Sequence, residues 1–168
     1  MSRVVGWKVV PKSGKAAGEV GVTPAFEFSP AEEALFAKVS SEYAGMVEGS
    51  PKPVGASPQL FGSICERILS LYSVPLPKAR VELVSQAAFH TFGGYGCVDF
   101  LLSKKDYEEV SFVGTEKPLY VFSRRDCAWH PTNCYICSER FATSVANRMA
   151  QKSGKRLSFA TPRLDAQL

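Results

Sequence analysis

A cluster of thiols and one imidazole near the C-terminal end constrains this 168-residue chain more than any other sequence feature. Three of the five cysteines and one of the two histidines fall within eleven residues, at Cys127, His130, Cys134 and Cys137. Thiolate sulfur and neutral imidazole nitrogen are ligands that zinc prefers, and four of them arranged tetrahedrally close a structural site. A Cys-x-x-His pair followed by a Cys-x-x-Cys pair therefore predicts a structural zinc clasp in this segment.

Two other interpretations of the cluster remain open. Positions 127, 130, 134 and 137 would share one face of a helix, on which buried free cysteines pack as small apolar residues. Pro131 argues against an uninterrupted helix, because an interior proline costs about 3 kcal/mol. We expect a turn at Pro131 and the last helix over residues 132–152. The third interpretation is a disulfide or a redox pair, in which a Cys-x-x-Cys sequence opens a helix.

The order of residues in this segment resembles that of the small zinc-binding accessory subunit of mitochondrial complex I. The resemblance implies that the two pairs in the cluster are zinc ligands and that the chain is a non-catalytic part of a large assembly. The match covers 15 residues, and that family has a longer stretch around its His-Pro pair and ends soon after the pattern. The matching residues are Cys127, His130, Pro131, Cys134, Cys137, Arg140 and Phe141.

Capping signals and the helical spacing of apolar residues predict three helices before the cluster. The first begins at Ser29, where a proline at the next position and Glu32 complete a Ser-x-x-Glu capping box. The second begins at Ser57, and the third covers residues 78–90. Glycines and prolines crowd residues 49–58, which we interpret as a linker.

Extended structure is expected to be scarce. Residues 97–102 are a short apolar run that predicts a strand or a buried turn, and residues 119–122 predict a strand or a buried extended segment. Ser103 and Asp106 predict caps of a short helix through Val110. The sequence thus predicts a mainly α fold, a small helical domain with at most two or three short strands. The expected organisation is an extended basic arm over residues 1–28, the helical domain over 29–152 and a basic tail over 153–168.

The net charge of +4 is distributed unevenly along the chain. Residues 1–18 sum to +4, residues 19–50 to −5 and residues 127–168 to +4. Basic ends bind phosphate, anionic lipid or an acidic protein surface, or simply keep a chain in solution. The acid-free N-terminal segment has some features of a mitochondrial transit sequence. We therefore predict mitochondrial localisation and contacts with other protein subunits, with nucleic acid not favoured and contact with a membrane surface left open.

No group of residues in the sequence identifies a reaction. The glycine-rich segment over residues 93–96 lacks the Lys-Ser/Thr pair of a phosphate-binding loop. Cys65, Cys97 and His90 are expected to be core residues, or substitute ligands if the zinc clasp needs one. No run reaches the ~18 apolar residues of a membrane span.

We therefore predict that the chain is not an enzyme. The favoured function is an accessory or structural subunit of a large mitochondrial complex, of the respiratory chain or the ATP synthase, stabilised by structural zinc. The alternatives are a mitochondrial ribosomal or RNA-bound protein and a structural protein of an axonemal or cytoskeletal lattice. A small redox enzyme is the least favoured alternative.

Overall fold

The computed structural model describes residues 5–11, 20–22, 25–52 and 54–154. The predicted basic tail beyond residue 154 and part of the predicted N-terminal arm lie outside the described residues. Four strands form one antiparallel sheet in the order β1-β4-β3-β2. The elements described are β1 (Trp7–Val9), α1 (Pro30–Gly49), α2 (Pro58–Tyr72), α3 (Lys78–Phe92), α4 (Val98–Leu102), β2 (Tyr107–Ser111), β3 (Pro118–Ser123), β4 (Ala128–Ile136) and α5 (Glu139–Lys152).

The first two helices begin at the capping residues that the sequence indicates. The Ser29 side chain accepts a hydrogen bond from the Glu32 backbone N–H, and the Ser29 N–H donates to Glu32 Oε2 at 2.6 Å. Ser57 accepts from the Leu60 N–H at 3.2 Å at the start of α2. The predicted helices α1, α2 and α3 are confirmed. The first two are capped by side chains within one turn, whereas Pro77 before α3 makes no side-chain cap.

The prediction of a mainly α fold is wrong, because a four-stranded antiparallel sheet occupies much of the C-terminal half. Residues 107–111 form β2 where a short helix was predicted, and residues 98–102 form α4. Residues 128–136 form β4, so the last helix begins at Glu139, well after the predicted position. Pairing with a strand on each side decides the conformation of β4, and that pairing has no local sequence signal.

The N-terminal segment belongs to this sheet. β1 runs antiparallel to β4, with Trp7 opposite Ile136 and Val9 opposite Cys134. The Cys137 N–H donates to the Gly6 carbonyl at 2.8 Å and the Val10 N–H to the Asn133 carbonyl at 3.0 Å, and these bonds tie this segment to the C-terminal half. The described parts of the predicted arm therefore pack against the chain's own sheet.

A single apolar core joins the sheet to the helices. Trp7 is 1% exposed, and its indole Nε1–H donates to the Thr91 hydroxyl at 2.9 Å. Gly96 has a φ of +67°, and a Cβ there would lie 2.7 Å from Phe141 and 2.9 Å from the Trp7 ring. Only glycine allows the chain to turn so close to these rings. Among the described residues no helix is both long and apolar enough to cross a membrane.

Candidate functional site

The structure does not bring the four predicted zinc ligands together. Cys127 lies just before β4 and Cys137 just after it. A strand rises about 3.3 Å per residue, so Cys127 and Cys134 are separated by about 20 Å, whereas zinc–sulfur bonds are about 2.3 Å long. The described part of the chain contains no group of three or more His, Cys, Asp or Glu side chains that could hold a metal ion. Because residues 128–136 form a strand, the four residues also do not share one face of a helix, which was the second interpretation of their spacing.

His130 and Cys127 lie at the exposed end of the β3–β4 hairpin. His130 Nε2 is 2.7 Å from Asp126 Oδ2, and Cys127 is exposed with a φ of +52°. The buried cysteines lie further along β4, at Cys134, and elsewhere in the core, at Cys65 and Cys97.

All five cysteines are free thiols, and three of them are buried in the core. Burial raises the pKa of the Cys97 thiol, and the neighbouring Cys134 raises it further. Cys97 Sγ lies 3.6 Å from the Tyr135 carbonyl. Burial also raises the pKa of Cys65 to about 11 and that of Cys137 above its usual value. Protonated, buried thiols are weak nucleophiles, so this arrangement fits the interpretation that buried cysteines pack as small apolar residues.

Two substitutions distinguish core packing from a zinc clasp. We expect Cys134→Ser to lower the free energy of unfolding by about 1–2 kcal/mol, because it places a hydroxyl at a site with no exposure. Cys127→Ser, at an exposed site, should change it by less than about 0.5 kcal/mol. Urea unfolding of both variants measures the difference, and equal large losses in the two variants would support the clasp instead.

A cleft of about 460 Å³ lies between α1, the end of α3, the start of β1 and α5. This volume is in the range of small-molecule sites. The lining comes from four elements that are distant in sequence, so no sequence pattern marks the site. Its apolar lining includes Val5, Phe36, Phe92 and Phe141, and its polar lining includes Ser40, Thr91, Ser138, Ser144, Arg140 and Arg148.

Arg148 is the least satisfied polar group of the cleft. Its Nη1 donates to the Thr91 carbonyl at 2.7 Å, but Nε and Nη2 are buried and have no hydrogen-bond partner in the described part of the chain. Burial lowers the pKa of Arg148, although a guanidinium stays charged in proteins. An unpaired buried donor costs about 1–3 kcal/mol, more when it is charged. The guanidinium carbon also lies 5.8 Å from the centre of the Phe141 ring, so the guanidinium must turn before these two donors can meet a ligand.

The acidic group near Arg148 is already engaged by other residues. Asp99 favours the charged form of Arg148, but its Oδ2 lies 2.7 Å from His90 Nδ1 and accepts from the Tyr95 N–H at 2.9 Å. No aspartate or glutamate lines the cleft among the described residues. The cleft therefore combines apolar walls with positive charge that its own lining does not neutralise.

A second, mostly apolar groove lies between α1 and α2. Leu35 and Leu69 form part of its lining, and Tyr72 and Val74 close one end. Leu71, Tyr72 and Val74 beside it are exposed, Leu71 to 73%. Clustered exposed apolar side chains of this kind are typical of surfaces that contact other proteins.

Among known proteins, this chain is similar to the uncharacterized protein MJ1288 of Methanocaldococcus jannaschii. The two are 35% identical over 75 residues, which are 45% of this chain and 29% of the archaeal protein. No model of a known protein family matches the chain. The predicted mitochondrial localisation is wrong, because an archaeon has no mitochondria.

Proposed function

We propose that this chain is a non-catalytic binding domain whose cleft takes a small molecule with an acidic group and an apolar body. The two buried, unpartnered nitrogens of Arg148 carry this proposal. A carboxylate accepts two parallel hydrogen bonds from a guanidinium, and such charge-assisted pairs are about twice as strong as neutral ones. In the proposed complex the guanidinium turns within the cleft to meet the acid, and the apolar body packs on Phe92, the least buried of the three phenylalanines in the lining.

The lining of the cleft supports binding rather than catalysis. The Ser40 hydroxyl donates to the Phe36 carbonyl at 2.7 Å, and the Ser138 hydroxyl accepts from the Phe141 N–H at 3.4 Å as the cap of α5. A catalytic serine requires a base within hydrogen-bonding distance. No histidine, aspartate or glutamate lines the cleft among the described residues, so neither hydroxyl has such a base there.

Calorimetric titration with decanoate tests the proposal. We expect decanoate to bind at least about 10-fold more tightly than acetate, which lacks the apolar chain, and than decanol, which lacks the charge. Arg148→Gln should weaken decanoate binding by about 10–100-fold. Arg124→Gln is the matched control, because Arg124 is an exposed arginine in the β3–β4 turn, far from the lining.

The same variant provides a check on folding. Because Arg148→Gln removes a partly unpaired buried charge, we expect its free energy of unfolding to equal or exceed that of the wild type. A folded Arg148→Gln protein that binds decanoate as tightly as the wild type would refute the proposal, and so would a wild-type protein that does not bind decanoate.

A second candidate function is that of a non-catalytic subunit in a larger protein assembly. The exposed Leu71, Tyr72 and Val74 beside the groove between α1 and α2 favour it. We expect a partner that places an apolar helix in this groove. Cross-linking in cells of the native host, with Tyr72→Glu compared with the distant exposed substitution Trp129→Glu, tests it. Loss of one cross-linked protein in the first variant alone supports this function, whereas identical patterns exclude it.

A further inference from the structure

Three cleft residues are spaced four apart along α5. Arg140, Ser144 and Arg148 all line the cleft. A helix rises 1.5 Å per residue, so the two arginine Cα atoms lie about 12 Å apart along the axis, with the serine midway. The cleft therefore has a guanidinium towards each end and a hydroxyl between them.

The two ends of this row differ in exposure and in electrostatic setting. Arg140 is exposed and lies in the first turn of α5, where the helix dipole favours an anion, whereas Arg148 is partly buried near the other end. Glu139 also lies in the first turn, but it is exposed and does not line the cleft. Arg140 forms no ion pair with any described residue. Arg140 is therefore open to one acidic group of a ligand, and Arg148 can meet a second once its buried guanidinium turns into the cleft.

We infer that the cleft takes a linear molecule with an acidic group at each end and an apolar spacer of about 10 Å, which is close to the axial spacing of the two arginine Cα atoms. This inference rests on the proposed function. The inner acid meets Arg148 and the outer acid meets Arg140, while the spacer lies along the apolar part of the lining between them. A ligand with one acidic group would use only the Arg148 end.

Titration with decanedioate and decanoate at matched ionic strength tests the inference. A diacid gains twofold in affinity simply because either end can bind Arg148. The ion pair of the second acid with Arg140 adds to this gain, so we expect decanedioate to bind about 5–10-fold more tightly than decanoate. Arg140→Gln should reduce this ratio to about twofold, because it removes the partner of the outer acid. Glu139→Gln, at the neighbouring exposed position, is the control and should keep the ratio. Because the outer pair is exposed, the ratio should also fall in 0.5 M salt.

The outcomes separate this inference from the function on which it rests. If decanoate binds through Arg148 but decanedioate binds no more than twofold more tightly, the two-acid ligand is excluded and the binding function stands. If decanedioate still binds more than twofold more tightly than decanoate in Arg140→Gln, the second acid is bound by another residue and the assignment of Arg140 is overturned. If neither compound binds, the proposed function itself fails.

Discussion

Asn133→Ala should lower the free energy of unfolding by about 3 kcal/mol. Asn133 has no exposed surface, and its side chain links β4 to two separate parts of the N-terminal segment. Its Oδ1 accepts from the Val22 N–H at 2.8 Å, and its Nδ2 donates to the carbonyls of Val10 at 2.6 Å and Val22 at 3.0 Å. Alanine leaves all three backbone groups without these partners, and each unpaired buried group costs about 1–3 kcal/mol.

Urea unfolding measures this loss, and Asn147→Ala is the matched control. Asn147 is exposed on α5, so its replacement should change the free energy of unfolding by less than about 0.5 kcal/mol. Hydrogen exchange adds a local measurement, because the Val22 amide should lose protection in Asn133→Ala. A loss of stability below about 1 kcal/mol, with the Val22 amide still protected, would show that the N-terminal segment is held without Asn133.

Glu32→Gln should lower the free energy of unfolding by about 2 kcal/mol at neutral pH. Glu32 is 2% exposed and binds Arg80 through both carboxylate oxygens, with Arg80 Nη2 2.7 Å from Oε2. The hydrogen bond from Arg80 is the main reason that the pKa of Glu32 falls to about 2, with the Ser29 N–H helping and burial opposing. The expected loss of stability is smaller than the free energy that corresponds to the whole pKa shift, because the Arg80 side chain is 39% exposed and solvent screens the pair.

The pH dependence of this loss follows from the direction of the pKa shift. The folded state holds the proton of Glu32 less tightly than the unfolded state, in which the pKa of this carboxyl group is 4.5. The stabilisation is therefore complete above about pH 4.5, decreases as the pH falls, and is gone near pH 2. Unfolding curves of wild type and Glu32→Gln should converge over this range. Glu33→Gln, in the same helical turn, is the control. If the difference in stability between the wild type and Glu32→Gln stayed constant as the pH fell, the pairing of Glu32 with Arg80 would not be the source of the stabilisation.

Local signals predict the first three helices of this protein well. Ser29 and Ser57 each predict the start of a helix correctly. The side chain of a cap bonds a backbone group within three residues, so the signal can be recognised from the local sequence alone. β3 was also expected from Leu119 to Phe122, where buried Leu119 and Val121 alternate with partly exposed neighbours. Element type follows from sequence when the partners of the backbone groups lie nearby.

The segment from Cys127 to Cys137 shows where such prediction fails. The spacing of its cysteines and histidine fits a zinc clasp or one face of a helix. In the structure most of the segment is instead a strand, β4, paired with β1 on one side and β3 on the other. The partners of β4 are Trp7–Val9, more than a hundred residues earlier, and β3 across a hairpin. A pattern confined to eleven residues contains no information on either partner.

The candidate cleft depends still more on tertiary structure. Arg140 and Arg148 appear in the sequence as ordinary charges on an amphipathic helix, and Phe36 as one member of an apolar face. Their common cleft exists because α1 and α5, far apart in sequence, meet beside the start of β1. By itself the sequence determined the caps of the first two helices and the positions of the first three helices. Tertiary packing decided which buried donors remain unpaired, because burial and pairing depend on the whole chain.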